Sequence, residues 1–206
     1  ERGCQTKEIV VRLSNAYRAD RRPADADRVL RAFLETNDYP PDLVIELAES
    51  LSSRKLFAEG VRLLEATVER HPEVPARTWF LLATYKAQLE RPLEEVFSSF
   101  DRYVEESDER AAALRDVEGA YRATPRLRPG LLAVYHRLAA LQPDDRDVQL
   151  KLARLSLQVG DEDAAAQGFH RYLVSSAYEV GALRSVIAEI REENRPVLRA
   201  LLDLIG

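Results

Sequence analysis

A period of 34 to 36 residues runs along this chain in two separate registers, and a period of that length points to stacked supersecondary units. In the first register a long aliphatic residue precedes a small one at Leu13-Ser14, Leu47-Ala48, Leu82-Ala83, Leu152-Ala153 and Ile187-Ala188, with steps of 34, 35, 70 and 35 residues. The 70-residue gap has Val117-Glu118 at its middle, where the aliphatic residue stays and a carboxylate replaces the small one. The second register holds Leu30, Leu64, Phe100, Tyr135, Phe169 and Leu204, at steps of 34, 36, 35, 34 and 35. Small residues stand four places before several of these, at Ala26, Gly60, Ala165 and Ala200.

Each period reads as two helices. Val148, Leu152, Leu155 and Val159 follow the spacing of one buried helical stripe. Gly160-Asp161 then ends that helix, because glycine takes the positive φ of a helix C-terminus without penalty. A second helix follows with Ala165, Ala166, Phe169, Tyr172 and Leu173 on its apolar side. Breaks recur at Asp38 to Pro41, His71 to Pro75, Ser107-Asp108 and Gln142 to Asp145. Proline there lacks a donor and disfavours helix in the residue before it. Pro92, Pro129 and Pro196 instead suit the first turn of a second helix, where a missing donor costs nothing.

With its W-x2-L-G-x2-Y … A-x3-F … P pattern, the tetratricopeptide family is what these residues resemble. The third repeat reads Trp79-x2-Leu82-Ala83, the first Leu13-Ser14-x2-Tyr17 … Ala26-x3-Leu30, and the second Leu47-Ala48-x2-Leu51 … Gly60-x3-Leu64. The resemblance implies an all-α, right-handed superhelical solenoid of antiparallel helix pairs. It also implies one array over residues 1–206, with repeats near 7–40, 41–74, 75–109, 110–144, 145–179 and 180–206. In such an array no pair buries its apolar face alone, so stability comes from neighbours. Trp79, Phe100, Tyr121, Tyr135 and Phe169 are accordingly expected in the core.

Composition bounds the function. The net charge of −5 speaks against a general nucleic-acid or anionic-membrane binder, and the 32% of charged residues mix both signs. No stretch reaches the 18 apolar residues of a membrane span. Cys4 is the only cysteine, so no internal disulfide forms, and Glu1-Arg2 before Gly3-Cys4 does not supply the small apolar residues of a lipoprotein cleavage site. The chain starts at Glu1 and holds no methionine, so it reads as a processed chain or a piece of a longer one. Cytoplasm is the expected compartment, with periplasm also compatible.

No catalytic, cofactor or metal site is expected. The histidines are His71, at a helix end, and His136 and His170, at matching places in adjacent repeats. Same-type helices lie about 8–10 Å apart, and no cysteine or carboxylate cluster completes a ligand set. There is no Gly-rich phosphate loop, no HExxH and no G-x-S-x-G elbow.

In the family that the sequence resembles, first helices line a concave face. The stripe opposite the Leu-Ala core stripe gives Arg12, Asn15 and Arg18, then Ile45, Glu46 and Glu49, then Arg77, Phe80, Leu81, Thr84 and Gln88. It continues with Arg115, Gly119 and Arg122, with Leu150, Lys151 and Arg154, and ends on Glu189 and Glu192. This predicts a groove with a basic centre, in which Arg77, Arg115, Arg122, Lys151 and Arg154 outnumber Asp116 and Asp147. The expected partner is another protein, held through an acidic or C-terminal carboxylate segment. A chaperone-tail clamp does not transfer, because Val11 replaces the expected lysine and Glu46 the expected asparagine. A regulatory or sensor segment of a larger protein is the alternative. So is self-assembly through the last helix, whose Val197, Leu198, Leu201, Leu202, Leu204 and Ile205 are too many for one inward stripe.

Overall fold

The computed structural model describes residues 2–190 and 194–206, with side chains from residue 8 onward, so Cys4's thiol and Glu192 lie outside the described residues. Helix makes up 82% of the described residues, with no strand among them. The chain divides into two compact units, Glu1–Asp108 and Glu109–Gly206.

The first unit holds three helix pairs: α1 (Arg2–Ala19) with α2 (Pro23–Thr36), α3 (Pro41–Ser53) with α4 (Phe57–Arg70), and α5 (Ala76–Gln88) with α6 (Leu93–Glu105). In the second unit α7 (Arg110–Ala123) leads through a 3-10 turn, Pro125–Gly130, into α8 (Leu131–Leu141). There α9 (Arg146–Val159) pairs with α10 (Glu162–Ser175), and α11 (Val180–Glu189) and α12 (Arg195–Ile205) complete the unit.

Local chemistry sets the helix ends. Asp145 caps α9 by accepting from the N–H groups of Asp147 and Val148 at 3.0 and 3.1 Å. Gly160 closes the same helix at φ +79°, in the left-handed region. Pro92 and Pro196 stand at the starts of α6 and α12 as expected. Pro129 does not open α8; it sits inside the 3-10 turn and α8 begins at Leu131. Pro125 and Pro129 together remove two amide donors from that segment, which favours the short turn over a regular helix start.

The core follows the two registers through most of the chain. Ser14, Ala48, Ala83 and Ala153 are fully buried where helices approach, and Leu30, Leu64, Phe100, Tyr135 and Phe169 are buried opposite them. Burying a leucine of this kind contributes roughly 1.5–3 kcal/mol relative to leaving it exposed. Tyr121 is also core, whereas Trp79 is half-buried at the edge of the first unit's core, with the Arg102 guanidinium 5.3 Å from its ring centroid.

Two close approaches fix the packing. The Tyr85 ring lies against Gly60, where a Cβ would come within 2.8 Å of two ring carbons. Its hydroxyl donates to the Ala48 carbonyl at 2.8 Å, so one residue ties α3, α4 and α5 together. In the second unit a Cβ on Gly168 would fall 2.9 Å from the Ala153 Cβ and 3.1 Å from that residue's backbone, so α9 and α10 meet almost backbone to backbone.

The α11–α12 region departs from the period. Ile187 is 69% exposed and Ala188 is exposed too, while Ala182 and Val186 are buried. On α12, Val197 and Leu201 are buried and Leu204 is exposed. Both buried pairs are four apart and form their own i, i+4 stripes, which turns α11 by one residue, about 100°, relative to the extrapolated register.

Candidate partner-binding faces

First helices carry the side chains proposed for binding. In the first unit these are α1, α3 and α5. Arg18 donates to Glu46 at 2.7 Å and Arg77 to Glu49 at 2.9 Å, and both pairs are 28 residues apart. The second helices repeat that separation in the Arg31–Glu59 pair. The recurrence comes from one geometry: same-type helices of consecutive pairs run alongside each other with a constant offset.

Phe80 stands beside Arg77 on α5. Its ring meets Phe100 and Tyr103 edge-on, with centroids 5.7 and 5.1 Å away, and the Arg77 guanidinium carbon lies 5.2 Å from its centroid. Thr84 donates its hydroxyl to the Phe80 carbonyl at 2.8 Å, so its proton is used within its own helix. Leu81 is buried in the core rather than facing outward, because α5 packs against α3, α4 and α6 and needs a wide apolar face.

The second unit carries the remaining cations on α7 and α9. Arg115 donates to Asp145 at 2.6 Å and to Gln142 at 2.8 Å. Arg154 reaches Glu189 through two nitrogens, at 2.6 and 2.8 Å. Lys151 lies 2.7 Å from Asp147 and 3.0 Å from Glu118, and Arg122 is 3.4 Å from Glu118. Each of the cations read from the sequence as the basic centre is therefore matched to a carboxylate of its own unit.

Glu118 is the residue whose meaning the sequence left open. It is only 7% exposed and accepts from the Tyr135 hydroxyl at 2.8 Å as well as from Lys151. Burial alone would push its carboxyl up, but hydrogen bonds from Lys151 and Tyr135 bring it below the usual carboxylate value. Burial and the bond to Glu118 push the Tyr135 hydroxyl far above its ordinary value. Lys151 is raised as well, since the bonds to Asp147 and Glu118 outweigh the opposing effect of burial. Asp145 is held below the usual range: the Val148 N–H and the Arg115 guanidinium outweigh its burial.

His71 places a ring nitrogen 2.7 Å from the Asp38 carbonyl, and His136 is exposed. No group of three or more His, Cys, Asp or Glu residues is placed to hold a metal among the described residues. No helix among them is long and apolar enough to cross a membrane.

By sequence, no family model and no curated protein matches the chain. By structure, a crystal structure of MamA protein aligns over 85% of this chain and 97% of its own, at TM-score 0.59 and 14% identity. A second MamA crystal structure aligns over 80% and 94%, at TM-score 0.54 and 13% identity. At these identities the likeness is one of fold. Most helix pairs here close on small residues at one period and on buried large residues half a period later. The fold is tetratricopeptide-like. A thermophilic tetratricopeptide protein of Thermus thermophilus aligns over 88% of this chain and 97% of its own, at TM-score 0.47 and 18% identity. Within the tetratricopeptide-like fold, Lys151 and Glu118 belong to the packing of α7, α8 and α9, whereas Arg77, Arg115, Arg122 and Arg154 hold their charges 40–61% exposed.

Proposed function

We propose that the chain is a protein-interaction scaffold that holds a segment of another protein against the first helices of its repeats. The observation that supports this reading is the set of exposed arginine–carboxylate pairs on those helices: Arg77–Glu49, Arg115–Asp145 and Arg154–Glu189. Exposed pairs contribute about 0–1 kcal/mol, so a partner carboxylate replaces the chain's own at little cost. The guanidinium fork then rewards an acidic side chain or a C-terminal carboxylate with bidentate contact. Arg115, Arg122 and Arg154 form the acid-binding set of the second unit. Lys151 holds Glu118, the carboxylate that also lies beside Arg122. In the first unit Arg77 and Phe80 supply a cation and an aromatic edge, and Thr84 contributes through its free lone pair. The activity is binding, with no cofactor, metal or nucleic acid.

Affinity capture from the native lysate, run in parallel with an Arg122→Glu/Arg154→Glu variant, tests the reading. A partner retained by the unaltered chain and lost by the variant supports it. A partner retained equally by both returns these arginines to ordinary surface pairs.

A second reading, self-association through α12, is favoured by Leu198 and Leu202, which are 42% and 57% exposed, with Leu204 and Ile205 exposed beside them. Apolar exposure concentrated on one helix marks an interface more often than scattered single residues do.

A further inference from the structure

A cleft of about 270 Å³ opens between α2 and α4, the second helices of two consecutive pairs in the first unit, away from the first-helix face. Its floor is apolar, formed by Leu47 and Leu51 of α3 with Leu63 and Ala66 of α4. Fixed structure bounds it at two points. On one side the Arg31–Glu59 ion pair joins α2 to α4. On another stands Tyr39, with the Arg70 guanidinium 4.6 Å from its ring centroid, while His71 holds the neighbouring Asp38 carbonyl at 2.7 Å.

Two further charges line the cleft, Glu35 on α2 and Arg62 on α4. Glu35 is one turn beyond Arg31, and Arg62 is just under one turn beyond Glu59. At about 1.5 Å of rise per residue they have advanced by about 6 and 4.5 Å, to nearly the same level on opposite walls. The signs are complementary again but exchanged, acid on α2 and base on α4. Yet neither Glu35 nor Arg62 has a hydrogen-bond or ion-pair partner among the described residues, and the cleft lies between them.

We infer that the α2–α4 cleft of the first unit is a second protein-docking site, which takes one large apolar side chain of a partner segment flanked by a basic and an acidic residue. Its volume suits a single anchoring side chain rather than a small-molecule cofactor, whose sites run from about 300 to 1,000 Å³. The flanking base meets Glu35 and the flanking acid meets Arg62, which satisfies the charges that the chain itself leaves open. Anchors of this kind, an apolar side chain in a pocket rimmed by polar contacts, supply most of the energy in small interfaces. This site does not depend on the arginines of the first helices.

The test is an NMR titration of the 15N-labelled chain with three probes: N-acetyl-Lys-Phe-Glu-amide, N-acetyl-Lys-Phe-Lys-amide and N-acetyl-Glu-Phe-Glu-amide. The mixed-charge probe is expected to give saturable shifts at the Tyr39, Leu63 and Ala66 amides. It should bind about fivefold more tightly than either like-charged probe, the effect of roughly one charge contact. Ala66→Trp fills the cleft and should abolish the shifts. Glu35→Lys, a change at an exposed position that leaves the core untouched, should transfer the preference to the Glu-Phe-Glu probe. Absence of saturable shifts in the unaltered chain, or a preference that Glu35→Lys leaves unchanged, would overturn the assignment.

Discussion

The Tyr135 hydroxyl donates a 2.8 Å hydrogen bond to Oε1 of Glu118, and the same oxygen accepts from Lys151 at 3.0 Å. This joins α7, α8 and α9 at the point where other pairs use Ala48, Ala83 or Ala153. A small residue permits close approach; a carboxylate requires partners instead, and Tyr135 and Lys151 are those partners. Glu118→Gln keeps the size and removes the charge. It should cost about 1.5–3 kcal/mol, the range for hydrogen bonds to charged groups. Glu118→Ala restores the small residue but leaves the buried Tyr135 hydroxyl unpaired, so it should stabilise nothing. Thermal melts followed by circular dichroism decide the matter, and an unchanged Tm for Glu118→Gln would deny the network any part in stability.

The same group gives the chain an acid dependence. Glu118 in the folded chain lies below its unfolded value, so its contribution is fully present above about pH 4.3 and is lost as pH falls through the folded value. Asp145 acts in the same direction. Lys151 and Tyr135 are raised in the fold, so their contribution is present below about pH 10 and declines as pH rises further. The difference in Tm between the unaltered chain and Glu118→Gln should therefore narrow on acidification below about pH 4 and stay constant from about pH 5 to 8.

Close approach makes a separate prediction. Gly168→Ala sets a methyl group against the Ala153 Cβ and backbone, neither of which can move aside, and should cost roughly 1–3 kcal/mol by overpacking. Ala83→Leu should cost as much or more at its fully buried position. Gly60→Ala meets a side chain instead, the Tyr85 ring, and can be accepted only if Tyr85 gives up its bond to the Ala48 carbonyl. A Gly168→Ala chain that melts with the unaltered one would place α9 and α10 further apart than described.

Self-association is testable on α12. Sedimentation at increasing concentration should reveal oligomers of the unaltered chain, and Leu198→Glu and Leu202→Glu should each return it to monomer. Both side chains are substantially exposed, so neither change disturbs the buried Val197–Leu201 stripe. A strict monomer throughout rules out the role.

The period located Ala48, Ala83, Ala153, Phe100 and Phe169 in the core from the sequence, because small-to-large complementarity between helices is a local rule that repeats. It failed at Ile187, where extrapolation over 35 residues missed a one-residue turn of a short helix, and at Leu204, which is exposed in the last turn of α12 while Val197 and Leu201 carry that helix's buried stripe. Gly168 escaped notice beside Ala165 and Ala166, since nothing in the sequence distinguishes which small residue meets Ala153. The cations Arg77, Arg115 and Arg154 were legible one by one, but their partners were not. Glu49, Asp145 and Glu189 lie 28 to 35 residues away, at separations set by the offset of neighbouring helices rather than by the helix period. Tyr85 carried no signal for its role, which depends on a carbonyl in another pair.

The scaffold reading turns on whether exposed arginines of the first helices receive the acidic groups of a partner protein. The deciding quantity is the yield of captured partner from native lysate, compared between the unaltered chain and the Arg122→Glu/Arg154→Glu variant at matched folded fraction. The partner should be retained by the unaltered chain, depleted about tenfold or more by the variant, and released from the unaltered chain by raised salt. Full recovery on the variant, with elution insensitive to salt, would refute the assignment of these arginines to binding.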